Sequence, residues 1–256
     1  MAPPLAGCGS QQAATATAYQ SASGPSGLDA VIDISHNVTV TDFDAVRRSG
    51  QLAVIHKATE GGDWVDPSYG VRQKQAQQAG LLWGAYHFGT RQYSGSDQAL
   101  AFLATVRPTI TTLIALDLEL NDGNPRNTMT LAQAEAFVAT IQEKTGRLPV
   151  LYTHPEWADG RKLGRRGVSL GQPIQSGSLL ARCDLWLADY RESPQIPSAW
   201  AGRGWTLWQY AGNHTEADVA YGSDRKAVSG VTHCDRNLYA GDVSSLKRYW
   251  ARGGRA

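Results

Sequence analysis

The stretch Leu113-Ile-Ala-Leu-Asp-Leu-Glu-Leu120 places two carboxyl groups, Asp117 and Glu119, inside an otherwise apolar run. Side chains alternate between the two faces of a β-strand, so a strand here puts both acids on one face and apolar side chains on the other. The two Cα atoms are then about 6.6 Å apart. Carboxylates this close repel each other, which raises the pKa of the less solvated one and favours acid/base chemistry. The alternatives are a solvated strand end and a pair neutralised by nearby cations.

Seven other apolar runs of similar length lie along the chain. In its first half, these runs alternate with helical patterns. The predicted strands cover 31–35, 53–58, 82–88, 113–120, 149–153, 185–190, 205–210 and 234–239. The predicted helices cover 42–49, 67–79, 96–106 and 130–145, the last with Thr130 as N-cap and Gly146 just after its end. This alternation indicates an α/β fold with a parallel sheet, and eight strands predict a closed barrel. Helical periodicity is lost between the last three strands, which predicts loops or hairpins there.

Composition excludes several classes of protein. The 256 residues contain 24 Lys and Arg against 23 Asp and Glu, a balance that does not fit a nucleic-acid-binding protein. No apolar run is long enough to cross a bilayer. The chain has eight Trp and ten Tyr but only four Phe. Rings with a polar atom suit an amphipathic ligand such as a sugar, and they also suit ordinary half-buried positions.

The first 27 residues have the composition of a separate segment. Leu5-Ala-Gly-Cys8 resembles the cleavage box of bacterial lipoprotein signal peptides, in which the Cys becomes lipidated. The following residues, to Gly27, carry almost no large apolar side chain and predict a disordered tether. We therefore predict a truncated signal and tether over 1–27, with a chance match as the alternative. If Cys8 is lipidated, Cys183 and Cys234 remain as a pair that could form a disulfide.

Further acids lie near the ends of other predicted strands, where the active sites of β/α barrels are found. They are Asp33, Asp189 and Asp235, in addition to Asp117 and Glu119. The sequence shows no His/Cys set at metal-ligand spacing. Clustered carboxylates with aromatic residues therefore favour cleavage of a glycosidic bond without a metal or an organic cofactor.

Eight segments along the chain carry a family resemblance through their order and spacing. They are VIDISH at 31–36, HKATEG at 56–61, WVDP at 64–67, AGLLWGAYHF at 79–88, ALDLE at 115–119, LWLADY at 185–190, WTLWQY at 205–210 and DRN at 235–237. Together they resemble glycoside hydrolase family 25, the Chalaropsis-type lysozymes that cleave peptidoglycan. The resemblance implies a single-domain, irregular TIM-like (β/α)5(β)3 barrel over 28–256.

The resemblance also implies roles for the acids. Glu119 matches the proton donor to the leaving sugar oxygen. Asp117 has two candidate roles, because it can orient the substrate acetamido group for neighbouring-group attack or act as the nucleophile itself. Asp33 and Asp235 match the other acids of the family's pocket, although each also has a structural interpretation.

Several polar and aromatic residues near the strand ends are candidates for substrate binding. These are Tyr86, Tyr152, Tyr190, Trp208 and Asp189, and each ring has the alternative of a core position. We expect Lys57 and Glu60 to pair with each other and His87 to be a core histidine.

Three features depart from the family's usual pattern. His154 occupies a position where Asn is common, the loop from Pro155 to Arg182 is long and basic, and the stretch from Gly212 to His233 is extended. A basic run after the fifth predicted strand comprises Arg161, Lys162, Arg165 and Arg166. Such a run is usually a solvated loop, and contact with an anionic polymer is the alternative.

The sequence therefore predicts a monomeric muramidase that acts on peptidoglycan, at the β-1,4 bond between N-acetylmuramic acid and N-acetylglucosamine. The predicted location is secreted or in the cell envelope, with membrane anchoring through Cys8 as a possibility. The alternative functions are hydrolysis of another N-acetylated glycan, such as chitin, and a catalytically silent peptidoglycan-binding barrel.

Overall fold

The computed structural model describes residues 27–212 and 228–254. The predicted signal-like start, including Cys8, and nearly all of the predicted tether lie outside these residues. The strands are β1 (Leu28–Ile34), β2 (Ala53–Glu60), β3 (Trp64–Val65), β4 (Leu82–Phe88), β5 (Leu113–Asp117), β6 (Val150–Thr153), β7 (Leu185–Ala188), β8 (Leu207–Ala211) and β9 (Asp235–Tyr239). The helices are α1 (Phe43–Arg48), α2 (Tyr69–Gln78), α3 (Gly95–Val106), α4 (Leu131–Thr145), α5 (Pro155–Ala158) and α6 (Val243–Ala251).

The sheet closes into an eight-stranded barrel, as predicted. Its order is β1-β9-β8-β7-β6-β5-β4-β2, and a further pairing of β1 with β2 joins the two ends. Strand β9 runs antiparallel to both of its neighbours, whereas the other barrel pairings are parallel. A helix follows each of the first five barrel strands, whereas β7 is joined to β8 by a loop with one 3-10 turn, Ser198–Trp200. The predicted irregular (β/α)5(β)3 architecture is confirmed.

The predicted ends of α4 are confirmed in detail. Thr130 and Gln133 form a reciprocal capping box, and Gly146 adopts a left-handed conformation with φ 70° after the last turn. Three of these strands and helices were not predicted. One is β3, a two-residue strand that pairs back onto β2 through Trp64 and Val65. The others are the short helix α5 and the C-terminal helix α6.

The predicted strand at 113–120 ends three residues earlier than expected. Strand β5 ends at Asp117, so Glu119 lies beyond the strand instead of on it. The backbone amide of Leu118 still donates to the carbonyl of Tyr152 at 3.0 Å, and the amide of Asn121 then donates to Oγ1 of Thr128 at 3.1 Å. The chain therefore leaves the sheet directly after Asp117 and turns into the loop that carries Glu119.

The barrel interior is apolar at one end and polar at the other. Its apolar end contains Ile55, Leu113 and Val150, and α6 packs against it through Leu246 and Trp250. The indole nitrogen of this Trp donates to the carbonyl of Trp83 at 2.9 Å. A second apolar layer lies between the strands and the helices. Because the apolar filling occupies the amino-terminal end, polar side chains in the barrel gather at the opposite rim.

The disulfide that the sequence left open does not form in the structure. Cys183 and Cys234 are both buried thiols, and the structure shows no bond between them. Cys183 precedes β7, whereas Cys234 precedes the antiparallel β9. The two thiols therefore lie toward opposite ends of the barrel. Burial raises the pKa of each thiol to about 12, which keeps both protonated. Within residues 27–212 and 228–254, no helix has both the length and the apolar character of a membrane span.

Candidate active site

A cleft of about 490 Å³ opens at the carboxyl-terminal ends of the parallel strands. It brings together four of the predicted acids and three of the predicted tyrosines, namely Asp33, Asp117, Glu119, Asp235, Tyr86, Tyr152 and Tyr190. Asp235 reaches this rim from the start of β9 because that strand runs antiparallel, and it is the register partner of Asp33. The fold therefore assembles one acidic site from strands far apart in sequence.

Asp117 is the most deeply placed acid of the central pair. Its side chain is 7% exposed, and Oδ1 has no hydrogen-bonding partner among the described residues. Burial raises the pKa of Asp117 well above its usual range, and the charges of Glu119 and Asp33 add to this effect. Lys57 acts in the opposite direction without reversing it. The structure therefore favours a protonated, uncharged Asp117.

Glu119 is more open and has a specific partner. Nε2 of His154 lies 2.9 Å from Oε2 of Glu119, and the two side chains are 30% and 25% exposed. Burial lowers the pKa of His154, but the hydrogen bond and charge of Glu119 outweigh burial and raise it overall. Glu156 and Asp189 contribute in the same direction. The contact is thus a hydrogen bond between the two side chains, and it favours the imidazolium form of His154.

Asp33 is held by two amide side chains. Nε2 of Gln209 donates to its two carboxylate oxygens at 3.2 and 3.0 Å. Nδ2 of Asn237 donates to Oδ2 of Asp33 at 2.8 Å, and the indole of Trp186 donates to Oδ1 of Asn237 at 2.6 Å. Donors from β7, β8 and β9 therefore fix the orientation of a carboxylate on β1.

Two tyrosines determine which way the amide of Gln209 points. The hydroxyls of Tyr152 and Tyr190 donate to its Oε1 at 3.0 and 2.7 Å, so its NH2 group faces Asp33. Burial raises the pKa of Tyr152 and of Tyr86 well above the usual value, and the surrounding carboxylates raise it further. Both phenols therefore remain hydrogen-bond donors.

Two predicted substrate-binding residues do not reach the cleft. Trp208 is 2% exposed and packs outside the barrel with Tyr210 and Leu238. Side chains alternate along β8, so the inward position of Gln209 forces Trp208 outward. Asp189 accepts hydrogen bonds from Nε of Arg191 at 2.7 Å and from a backbone amide. Its carbonyl also accepts the indole N–H of Trp208. Trp208 therefore contributes to packing outside the barrel, and Asp189 holds the chain after β7 through its ion pair and hydrogen bonds.

Sequence reasoning missed the amide network and the partner of Glu119. Gln209 and Asn237 lie in apolar or mixed runs, where a buried polar residue is the available signal. His154 was noted as a departure from the family pattern, but its contact with Glu119 was not predicted.

Two smaller predictions are confirmed. Nζ of Lys57 lies 2.7 Å from Oε2 of Glu60. His87 is fully buried and makes hydrogen-bond contacts with Thr59 at 2.8 Å and Gln98 at 3.1 Å. Across the part of the chain that the structure describes, no group of three His, Cys, Asp or Glu side chains is arranged to hold a metal ion.

The site has the groups needed for acid/base cleavage of a sugar bond, and known proteins carry similar sequences. The model of glycosyl hydrolases family 25 matches residues 32–219. The chain belongs to this family. It is therefore a glycoside hydrolase, as the acidic rim of the barrel indicated.

Relatives of this family 25 chain include named enzymes. It is 29% identical over 213 residues to N,O-diacetylmuramidase from Chalaropsis sp, covering 77% of this chain and 92% of the relative. It is 27% identical over 210 residues to lysozyme M1 from Streptomyces globisporus, covering 78% and 67% respectively. The structure of the bacterial lysozyme from Streptomyces coelicolor superposes with a TM-score of 0.72 at 26% identity, covering 90% of this chain and 99% of that one.

Proposed function

We propose that this protein is a muramidase that hydrolyses the β-1,4 bond between N-acetylmuramic acid and N-acetylglucosamine in peptidoglycan. One observation carries the proposal. In a family 25 barrel, a buried carboxyl with a raised pKa and a second carboxyl with a charged partner line the same cleft. Two carboxyl groups in different environments are what glycosidic cleavage requires.

Glu119 is the proton donor in this proposal. It lies on a loop directly after β5, so it reaches into the open part of the cleft. Nε2 of His154 lies 2.9 Å from Oε2 of Glu119, so the two side chains can exchange a proton. In the proposed step, protonated Glu119 gives its proton to the leaving sugar oxygen, which is general acid catalysis.

Asp117 positions the substrate acetamido group in this proposal. A neutral carboxyl is a poor nucleophile, but its carbonyl oxygen can accept a hydrogen bond from the acetamido N–H and so orient that group. The raised pKa of Asp117 supports this role over direct attack. The acetamido oxygen then attacks the anomeric carbon as the bond to the leaving oxygen breaks and that oxygen takes the proton from Glu119. Glu119, now a carboxylate, takes a proton from the water that opens the cyclic intermediate, which restores the starting state.

The remaining groups of the site shape the cleft around this pair. Asp33 is fixed by two amides and adds negative charge beneath the developing positive charge of the sugar ring. Asp235 lies beside it in register. Tyr86 and Tyr190 line the cleft and offer ring faces and hydroxyls to sugars.

We also propose a place and form of action. The enzyme acts outside the cell or in the cell envelope as a monomer, with residues 28–256 as the catalytic unit. Anchoring through a lipidated Cys8 remains a proposal about residues outside those described. Mass spectrometry of purified intact protein from its source detects the added lipid mass, and an unmodified Cys8 contradicts the anchor.

The alternative functions are cleavage of another N-acetylated glycan, such as chitin, and binding of peptidoglycan without catalysis. No comparison supports the first. Mass spectrometry of digested peptidoglycan tests the proposal because the new reducing end identifies the bond that was cut. We expect reducing N-acetylmuramic acid. Reducing N-acetylglucosamine contradicts muramidase activity, faster cleavage of chitin oligomers supports the first alternative, and intact walls support the second.

A further inference from the structure

The basic run found in the sequence forms a defined surface feature, which we call the basic hairpin (residues 161–168). Leu163 and Val168 pair as an isolated antiparallel bridge, with backbone hydrogen bonds of 2.7 and 3.0 Å. The four cationic side chains of the hairpin, Arg161, Lys162, Arg165 and Arg166, are all exposed. None has an ion pair or a side-chain hydrogen bond with another residue of the described ranges.

The basic hairpin is held against the loop that carries the proton donor. Leu163 and Val168 pack on the apolar layer outside the barrel. Gly164 has a φ of 66°, and a Cβ atom there would lie 3.0 Å from Cδ2 of Leu120. Leu120 directly follows Glu119. The hairpin therefore approaches this loop as closely as a glycine permits, which fixes its charges near the catalytic cleft.

A groove of about 420 Å³ lies between the basic hairpin and this loop, and we call it the basic groove. Arg165 and Arg166 line one side, and Leu120, Asp122 and Pro125 line the other. Asp122 also lines the catalytic cleft. The two cavities therefore meet at Asp122, and a chain bound in one can continue into the other.

The charges of the two cavities are opposite in sign. Five carboxyl groups line the catalytic cleft, at Asp33, Asp117, Glu119, Asp122 and Asp235. Even with Asp117 neutral, the other four outnumber the cationic side chains of Lys57 and His154 in the same lining. Such a cleft repels a substrate that carries anionic groups, whereas unpaired guanidinium groups at one end attract them. Arginine is also suited to this task because its planar donors match carboxylate and phosphate oxygens in pairs.

We propose that the basic groove binds anionic groups attached to the glycan, and so sets the direction in which a wall strand enters the catalytic cleft. The inference rests on the proposed function, because it takes the substrate to be peptidoglycan. Two sources supply the same chemistry: the carboxylates of the peptides on muramic acid, and the phosphodiesters of polymers linked to some walls.

Binding to insoluble walls tests this without requiring catalysis. The double substitution Arg165→Gln and Arg166→Gln is compared with Lys247→Gln and Arg248→Gln, which removes the same charge from exposed positions on α6. Both sets are made in a Glu119→Gln background, so that walls stay intact during co-sedimentation. We expect the groove variant to bind about five-fold more weakly at low salt, with the difference lost at high salt. The α6 variant should match the Glu119→Gln parent.

Two treated walls identify the source of the charge. Hydrofluoric acid removes phosphodiester-linked polymers, and carbodiimide coupling with an amine neutralises peptide carboxylates. If the groove variant and the parent bind equally well after only one of the two treatments, the anionic group that this treatment removes or neutralises is the ligand of the groove. Equal binding of the groove variant and the parent to untreated walls overturns the proposal, as does an equal loss in the α6 variant. Hydrolysis by the wild-type protein is measured separately, so failure of the muramidase proposal shows as intact walls in that assay.

Discussion

Nε2 of His154 lies 2.9 Å from Oε2 of Glu119 and joins the end of β6 to the loop after β5. The contact is partly open to solvent, since the histidine side chain is 30% exposed. It raises the pKa of His154 above the ordinary value of 6.5 even though burial acts in the opposite direction. An ionisable side chain therefore contacts the proposed proton donor, which links that donor to pH.

His154→Asn tests this link through stability. The pKa of His154 is higher in the folded than in the unfolded state, so the pair stabilises the fold fully below pH 6.5. That contribution is lost as pH rises through the folded-state pKa. We expect the free energy of unfolding of the wild type to exceed that of the variant by about 1 kcal/mol or less at pH 5.5. The difference should be smaller at pH 9. Urea unfolding at both pH values measures this difference, and a constant gap contradicts it.

Asp117→Asn should stabilise the fold while it reduces activity. The folded-state pKa of Asp117 lies well above the ordinary value of 3.8 because the side chain is buried beside other acids. As pH rises, Asp117 therefore loses its proton at a lower pH in the unfolded state than in the folded state. The wild type becomes less stable as pH rises above the ordinary pKa of 3.8. We expect the variant to be more stable at pH 7 by about 1 kcal/mol or more.

Thermal unfolding of the Asp117→Asn variant and the wild type at pH 4 and pH 7 provides the measurement. The advantage of the variant should shrink toward pH 4, because about half of the unfolded molecules then carry a protonated Asp117, whose ordinary pKa is 3.8. A wild type that is the more stable protein at pH 7 would show that Asp117 is ionised and well paired.

Glu119→Gln should remove proton donation without disturbing the fold. The Glu119 side chain is 25% exposed and lies outside the strand, so the substitution leaves the core intact. We expect kcat on purified walls to fall roughly 10²- to 10⁴-fold, the usual contribution of a general acid. Glu143→Gln is the matched control, because that side chain is 69% exposed on α4. Similar losses in the two variants, or full activity in Glu119→Gln, would exclude Glu119 as the donor.

The amide network around Asp33 makes the site depend on barrel closure. Asn237→Ala removes the 2.8 Å donor to Asp33 and leaves the indole N–H of Trp186 without its acceptor. We expect a loss of about 2–4 kcal/mol in the free energy of unfolding, measured in urea. Asn237→Asp preserves the acceptor but places a second carboxyl against Asp33, so it should be at least as destabilising at pH 7. Near-neutral effects in both variants would show that the network does not hold Asp33.

The barrel itself was predictable from local patterns. Apolar runs such as 82–88 read as strands because their period and length leave few alternatives, and the Thr130 and Gly146 signals place the ends of α4. The C-terminal helix α6 was not predicted from the sequence, because its apolar residues Leu246, Tyr249 and Trp250 are interspersed with cations over only nine residues. Its burial depends on the open end of the barrel, which no local window contains.

The acids of the site were predictable from the sequence, whereas their hydrogen-bonding partners were less so. Asp33 and Gln209 are 176 residues apart in sequence and meet only because β1 and β8 both flank β9. Trp208 was expected in the cleft because it lies near a strand end, yet its outward direction depends on the register of β8. Residue type and position along a strand therefore indicate the rim, whereas the side that each residue faces requires the assembled sheet.

The role of Asp117 can be decided with altered substrate. In the proposed reaction the acetamido oxygen of muramic acid attacks its own anomeric carbon, so a free amine in its place cannot react. We expect walls N-deacetylated at muramic acid to be cleaved more than about 100-fold more slowly in kcat. Walls deacetylated only at glucosamine are the matched control and should retain kcat.

Separate measurement of kcat and KM distinguishes chemistry from binding in this experiment. A rise in KM with unchanged kcat on muramic-deacetylated walls would mean that the acetamido group is used only for recognition. Asp117 would then have to attack the sugar directly as a carboxylate, despite the burial and neighbouring charges that raise its pKa. A fall in kcat for the wild type, with no further fall when Asp117→Asn is added, places both groups in one step, because residues that act as a unit are not additive.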